Sequence, residues 1–179
     1  QMLSQQKFEN TFFQLLTLFN SIVNSLDLRK TSSTDIISTG RDCFLNFYNR
    51  FNHEIFYLKG GIGGTLKPEN ADLKETLEAY SKFYDKNKAD MSHYFRTLYH
   101  LIKFIDNSDI QNKKQYTSIV RAQLSSYEQV LLFYNCLHEN GIEKFKPLIE
   151  RYSIFKNIDG SLILNKNLKA EYLGTAYGQ

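Results

Sequence analysis

Apolar residues recur at steps of three and four along most of this chain, and strict alternation is nearly absent. In FENTFFQLLTLFNSIVNSL, Phe8, Phe12, Leu15, Phe19, Ile22 and Leu26 follow at steps of four and three, which is one seam of an α-helix. Phe13, Leu16 and Val23 widen that seam, so the spacing predicts a long core helix over about 3–26, broader than a coiled-coil strip. LRKTSSTDIISTG follows as a polar connector in which Ser38 or Thr39 can cap the next helix. That helix, RDCFLNFYNRFNHEIFYL over 41–58, carries Phe44, Phe47, Tyr48, Phe51 and Ile55 at helical spacing and ends at GGIGG.

With Lys67 nearby, GGIGG invites a phosphate-loop reading, yet it lacks a Gly-Lys-Ser/Thr ending and does not sit between a strand and a helix. Residues 59–68 therefore read as a Gly-rich linker. Pro68 suits the first turn of a helix running to about Lys86, with Leu73, Leu77, Tyr80 and Tyr84 on one side. SHYFRTLYHLIKFI forms the next helix, NSDIQNKK a turn, and QYTSIVRAQL over 115–124 a further helix. Ser125 with Glu128 three residues on is a capping-box pattern, so the chain breaks there and restarts as SYEQVLLFYNCLHEN, apolar nearly all round and hence centrally buried, stopped by Gly141. IEKFKPLIERY predicts a short helix with Pro147 in its first turns, and in SIFKNIDGSLIL two short apolar runs flank an Asp-Gly turn, the pattern of a small C-terminal hairpin.

These elements predict an all-α fold of about six or seven helices. The 179 residues fit one domain, 1–179, with an irregular segment at 153–179. With 42% hydrophobic and 15% aromatic residues the chain is too apolar for disorder, and a net charge of +3 permits a polyanionic partner without demanding one. Cys43 and Cys136 stand far apart with no zinc spacing, so no disulfide framework, metal site or cofactor is indicated and a reducing compartment fits. No apolar run reaches membrane-spanning length. The chain opens inside helical pattern with Met second, so we expect a natural start further upstream.

The candidate chemistry lies in SHYFRTLYHLIKFI. At 100° per residue, Tyr94, Phe95, Leu98, Leu101, Ile102 and Ile105 share the core side, while His93, Arg96, Thr97, His100 and Lys103 form a column opposite. An imidazole can take a proton from a ribose hydroxyl and a guanidinium can hold the phosphate, so Arg96 and His100, supported by His93, suit metal-independent RNA cleavage. The same column serves equally as a polyanion-binding face or as the wet side of an amphipathic helix. Phe104 falls among the basic residues, which implies that something covers that flank. His53 and His138 are isolated and read as surface or capping histidines. Arg121, Glu128 and Asn135 at steps of seven make a polar stripe in need of partners if the helix is continuous; if it breaks at Ser125, Glu128 belongs to the capping box and Arg121 to a helix end, and Arg121 with Lys103 serves either polyanion binding or structure.

FENTFFQLL, HYFRTLYHLIKFI, VRAQLSSYEQVLLFYN and FKPLIERYSIF together resemble the bacterial phage abortive infection proteins, the AbiC-like group. The resemblance implies antiphage defence, sensing or effector in kind, against a phage or host factor it does not specify. It also implies a cytoplasmic domain tethered to the inner membrane by helices ahead of this region. A second resemblance is to HEPN ribonucleases, whose Arg is followed after four to six residues by His and whose site is built from two protomers; Arg96 and His100 have three residues between them. The rivals are thus an RNA-cleaving enzyme, with RNA as partner, and a helical interaction module that self-associates as a homo-oligomer.

Overall fold

Seven α-helices and one two-stranded antiparallel sheet form the described residues, 2–29, 35–61 and 67–179, of the computed structural model. The fold is all-α, as the periodicity predicts. The chain contacts group into two compact units, one of residues 1–43 with 89–124, the other of residues 44–88 with 125–179. Among the described residues no helix is long and apolar enough to cross a membrane.

In the first unit, α1 (Met2–Asn24) buries Phe8, Phe12, Phe19 and Val23. The partners come from α4 (Lys88–Asn107) and α5 (Lys113–Gln123). Phe8 stacks on Phe104 with centroids 5.1 Å apart and meets Tyr116 edge-on at 4.9 Å, while Phe19 packs on Tyr94 at 5.4 Å. The start of α1 therefore lies against the end of α4, so the two run antiparallel. Phe8 is the cover that the position of Phe104 implied. Each such buried aromatic contributes roughly 1.5–3 kcal/mol.

The connector after α1 contains a sheet that its polar composition did not predict: β1 (Asp27–Arg29) pairs with β2 (Ile36–Thr39), Leu28 opposite Ser38. Leu26 and Leu28 are buried and anchor it, and Gly40, at φ 58°, donates its N–H to the Leu26 carbonyl at 2.8 Å, a left-handed turn that closes the return. Thr39 takes the N-cap position of the 3-10 turn Gly40–Asp42, but without a side-chain cap bond, contrary to the capping expected of Ser38 or Thr39.

The second unit contains α2 (Cys43–Leu58) apart from its first residue, α3 (Leu73–Lys86), α6 (Ser126–Leu137) and α7 (Lys146–Arg151). α6 is its axis: all residues from Glu128 to Leu137 are buried. The capping box at Ser125 is present, with the Ser125 N–H donating to Glu128 Oε2 at 2.7 Å and the Glu128 N–H to Ser125 Oγ at 3.3 Å. Around it Phe51 lies 4.5 Å from Tyr134 and 5.8 Å from Tyr80.

Two boundaries differ from expectation. Pro68 opens a separate 3-10 turn, Pro68–Asn70, because Asp72 and Glu75 form a capping box that starts α3 at Leu73. α6 ends at Leu137, short of Gly141, where the His138 ring accepts the Asn140 N–H. The C-terminal hairpin is not formed. Asp159 accepts from the Ser161 N–H and starts a 3-10 turn at Gly160–Leu162, and the following 3-10 turns pack inward. The Leu164 N–H donates to Tyr134 Oη at 3.3 Å and Tyr48 Oη donates to the Leu162 carbonyl at 2.7 Å, so backbone that a hairpin would pair is held by tyrosines instead.

Candidate functional site

α4 begins one residue after the C-cap of α3, and Asn87 fixes that corner by donating to the Phe83 carbonyl at 2.8 Å and accepting from Arg50 at 2.7 Å. Asp90 lies in the first turn, where a carboxylate favours the helix dipole. Met91, Tyr94, Phe95, Leu98, Leu101, Ile102 and Ile105 are buried, and that fixes the rotation of the helix. His93, Arg96 and His100 consequently point outward and are exposed, with Thr97 and Lys103 half-buried beside them. Arg96 donates to Ser92 Oγ at 2.9 Å, one turn back, which lays the guanidinium along the face. Lys103 pairs with Asp106 at 3.2 Å.

Arg121 lies elsewhere, half-buried in the last turn of α5. The stripe of Arg121, Glu128 and Asn135 is not a stripe, since the chain breaks between the first two; Glu128 caps α6 and Asn135 accepts the Tyr80 hydroxyl at 2.9 Å. The question of a ligand loop at GGIGG falls largely on residues 62–66, outside the described ones. Lys59, at its near edge, is buried and paired with Glu75. Among the described residues no three His, Cys, Asp or Glu side chains gather as a metal-binding group.

A polar cluster that sequence reasoning missed surrounds His138, the buried C-cap of α6. Its Nε2 is 2.7 Å from Ser81 Oγ, and its ring lies 5.3 Å from Tyr80 and 6.3 Å from Tyr84. Burial holds its pKa below the ordinary histidine range. The spacing of Tyr80, Ser81 and Tyr84 was visible, but their partner is 57 positions along the chain from Ser81, beyond any local pattern. Because Nδ1 accepts from the Asn140 N–H at 3.4 Å, Nε2 carries the proton and donates to Ser81. In this tautomer the imidazole does not take the serine proton, so the pair is a structural tie and not an activated nucleophile. Burial also raises the pKa values of Tyr80, Cys136 and Tyr172, which keeps all three neutral in the core. Burial, with the Glu150 charge adding to it, pushes Tyr177 up to about 12.

The fold and this face define an all-α chain with a solvent-facing helix bearing Arg96 and two histidines, and an aromatic interior. Residues 86–162, from the α3–α4 corner to the turn after α7, match the family model described as putative phage abortive infection protein, and this region of the chain is similar to that family. No curated protein and no solved structure matches it.

Proposed function

We propose that the chain serves antiphage defence as a recognition domain that meets an anionic partner, RNA foremost, through the face of α4 bearing His93, Arg96 and His100, with Lys103 at its edge. The observation that carries this reading is the exposure of three ionisable nitrogen-bearing side chains on successive turns, anchored behind by seven buried residues. Such a row can follow a phosphate backbone, and its affinity is then electrostatic and salt-dependent. Fluorescence anisotropy with labelled RNA at several salt concentrations tests it. Arg96→Glu is expected to weaken binding about tenfold or more and to lower the salt slope by about one, and to reduce protection in a phage plaque assay. Equal binding by parent and variant overturns the reading.

A second reading, metal-independent RNA cleavage, is favoured by one feature: Arg96 and His100 stand one turn apart on the same exposed side. Incubation with total RNA and tRNA in chelator separates the two. Cleavage lost in both Arg96→Ala and His100→Ala makes the face an active site; binding without cleavage leaves it a recognition surface. The membrane tether and cytoplasmic placement implied by the family resemblance belong with this proposal, and cell fractionation of the full-length protein checks them.

A further inference from the structure

His138 holds the chain leaving α6 with its backbone and its side chain at once. Its N–H donates to the Tyr134 carbonyl at 3.1 Å, its carbonyl accepts the Gly141 and Ile142 N–H groups at 3.0 Å, and the Gly141 carbonyl accepts those of Phe145 and Lys146 at 2.9 Å. The imidazole adds two bonds of opposite sense: Nδ1 accepts the Asn140 N–H at 3.4 Å, and Nε2, which carries the proton, lies 2.7 Å from Ser81 Oγ of α3. The exit from α6, the hold on α3 and the entry to α7 therefore meet in one residue. The side chain is buried, yet Glu139 and Asn140 beside it are exposed, so a proton from solvent has only this turn to cross.

The surroundings of the ring act in both directions. Burial disfavours a charged imidazole, and the Asn140 N–H can donate only to an unprotonated Nδ1. The carboxylates of Glu139 in the turn and Asp85 on α3 favour the cation, as do the rings of Tyr80 and Tyr84, 5.3 and 6.3 Å away. Burial prevails, so the closed turn holds the neutral ring.

We infer that His138 is an acid-operated latch: a proton gained at Nδ1 opens the turn over residues 138–142 and releases the end of α6 from α3. An imidazolium carries an N–H on both nitrogens, so the new Nδ1–H meets the Asn140 N–H donor to donor, and a ring flip that relieves the clash gives up Ser81. The Asn140 peptide cannot turn away while Gly141 and Ile142 stay bonded to the His138 carbonyl. Opening the turn is the remaining relief, and it returns the charged ring to water. The latch is closed above the ordinary histidine value of about 6.5 and gives way as pH falls from there through the lower value of the closed turn. Gly141 sits so close on the Asn135 carbonyl oxygen and the Cys136 Cα that a Cβ would lie 2.8 and 3.0 Å from them, so the opening also uncovers the last turn of α6.

Hydrogen exchange of the full chain, read by mass spectrometry from about pH 8 to about pH 5 and corrected for the intrinsic pH dependence of exchange, tests the inference. The amides of residues 140–146 are expected to exchange about threefold or more faster at the acid end, with those of α1 and α2 unchanged. His138→Gln, which gains no proton, is expected to remove that dependence. Imidazole nitrogen NMR of the parent gives a readout that needs no variant: the His138 proton sits on Nε2 at neutral pH, and Nδ1 gains its own over the pH range in which exchange quickens. Unchanged exchange at 140–146, equal quickening in every segment, or a pH dependence that survives in His138→Gln overturns the inference. A proton on Nδ1 at neutral pH overturns it too.

Discussion

His138 and Gly141, three residues apart, show two ways in which the end of α6 depends on single atoms. Tyr80, Ser81 and Tyr84 of α3 face the His138 imidazole, Asn140 donates to it, and the charges of Asp85 and Glu139 are near enough to oppose part of the downward shift. Since burial lowers the folded-state pKa, the neutral ring contributes stability that is fully present above the unfolded value of about 6.5 and is lost as pH falls through the folded value. Urea unfolding below pH 6.5 should therefore show a fall in stability that His138→Gln flattens. At Gly141 the constraint is space: a Cβ there would lie 2.8 Å from the Asn135 carbonyl oxygen and 3.0 Å from the Cys136 Cα, both backbone. Gly141→Ala should cost about 1–3 kcal/mol in urea unfolding. Gly160→Ala, whose Cβ would meet only the Lys169 ammonium at 3.6 Å, should change little.

At the scale of the element, the decisive local signal is the cap. Ser125 and Glu128 exchange hydrogen bonds at the mouth of a helix that is buried from its third residue, so the cap and the core depend on the same few residues. Ser125→Ala should destabilise by about 1 kcal/mol, read as a shift in the urea midpoint with unchanged slope. That break was legible because Ser-x-x-Glu is local and precedes an apolar run. The same box at Asp72 and Glu75 was equally written in the chain, but Pro68 offered a stronger start signal four residues earlier and displaced the boundary. The short sheet was not legible: β2 leaves Ile36 and Ile37 about half exposed, and its anchor, Leu28, sits in a stretch rich in Ser and Thr.

At the scale of the molecule, seven helices followed from periodicity, but not every core face did: α3 buries Thr76, Ala79, Tyr80 and Phe83, where the spacing had put Leu73, Leu77, Tyr80 and Tyr84, and Phe13 of α1 stays half exposed. The C-terminal 3-10 segment did not follow, since Tyr172 is held by Phe133 of α6 and the turn around Ala176 packs on α7, and not by any repeat of their own. The candidate face on α4 was visible as a column; Arg121 lies on α5, and the break at Ser125 separates it from Glu128 and Asn135, with which a continuous rod would have aligned it. The pattern of units carries a further consequence. Each draws on two stretches of chain, 1–43 with 89–124 and 44–88 with 125–179, interleaved like shuffled cards. The matched region 86–162 holds pieces of both and the whole of neither, so cut out by itself it would leave Tyr94 without Phe19 and Tyr134 without Phe51. A ribosome making this protein cannot finish one unit before beginning the next. Tyr172 must be added before the second core can close, which ties a finished fold to a chain translated well past the matched region.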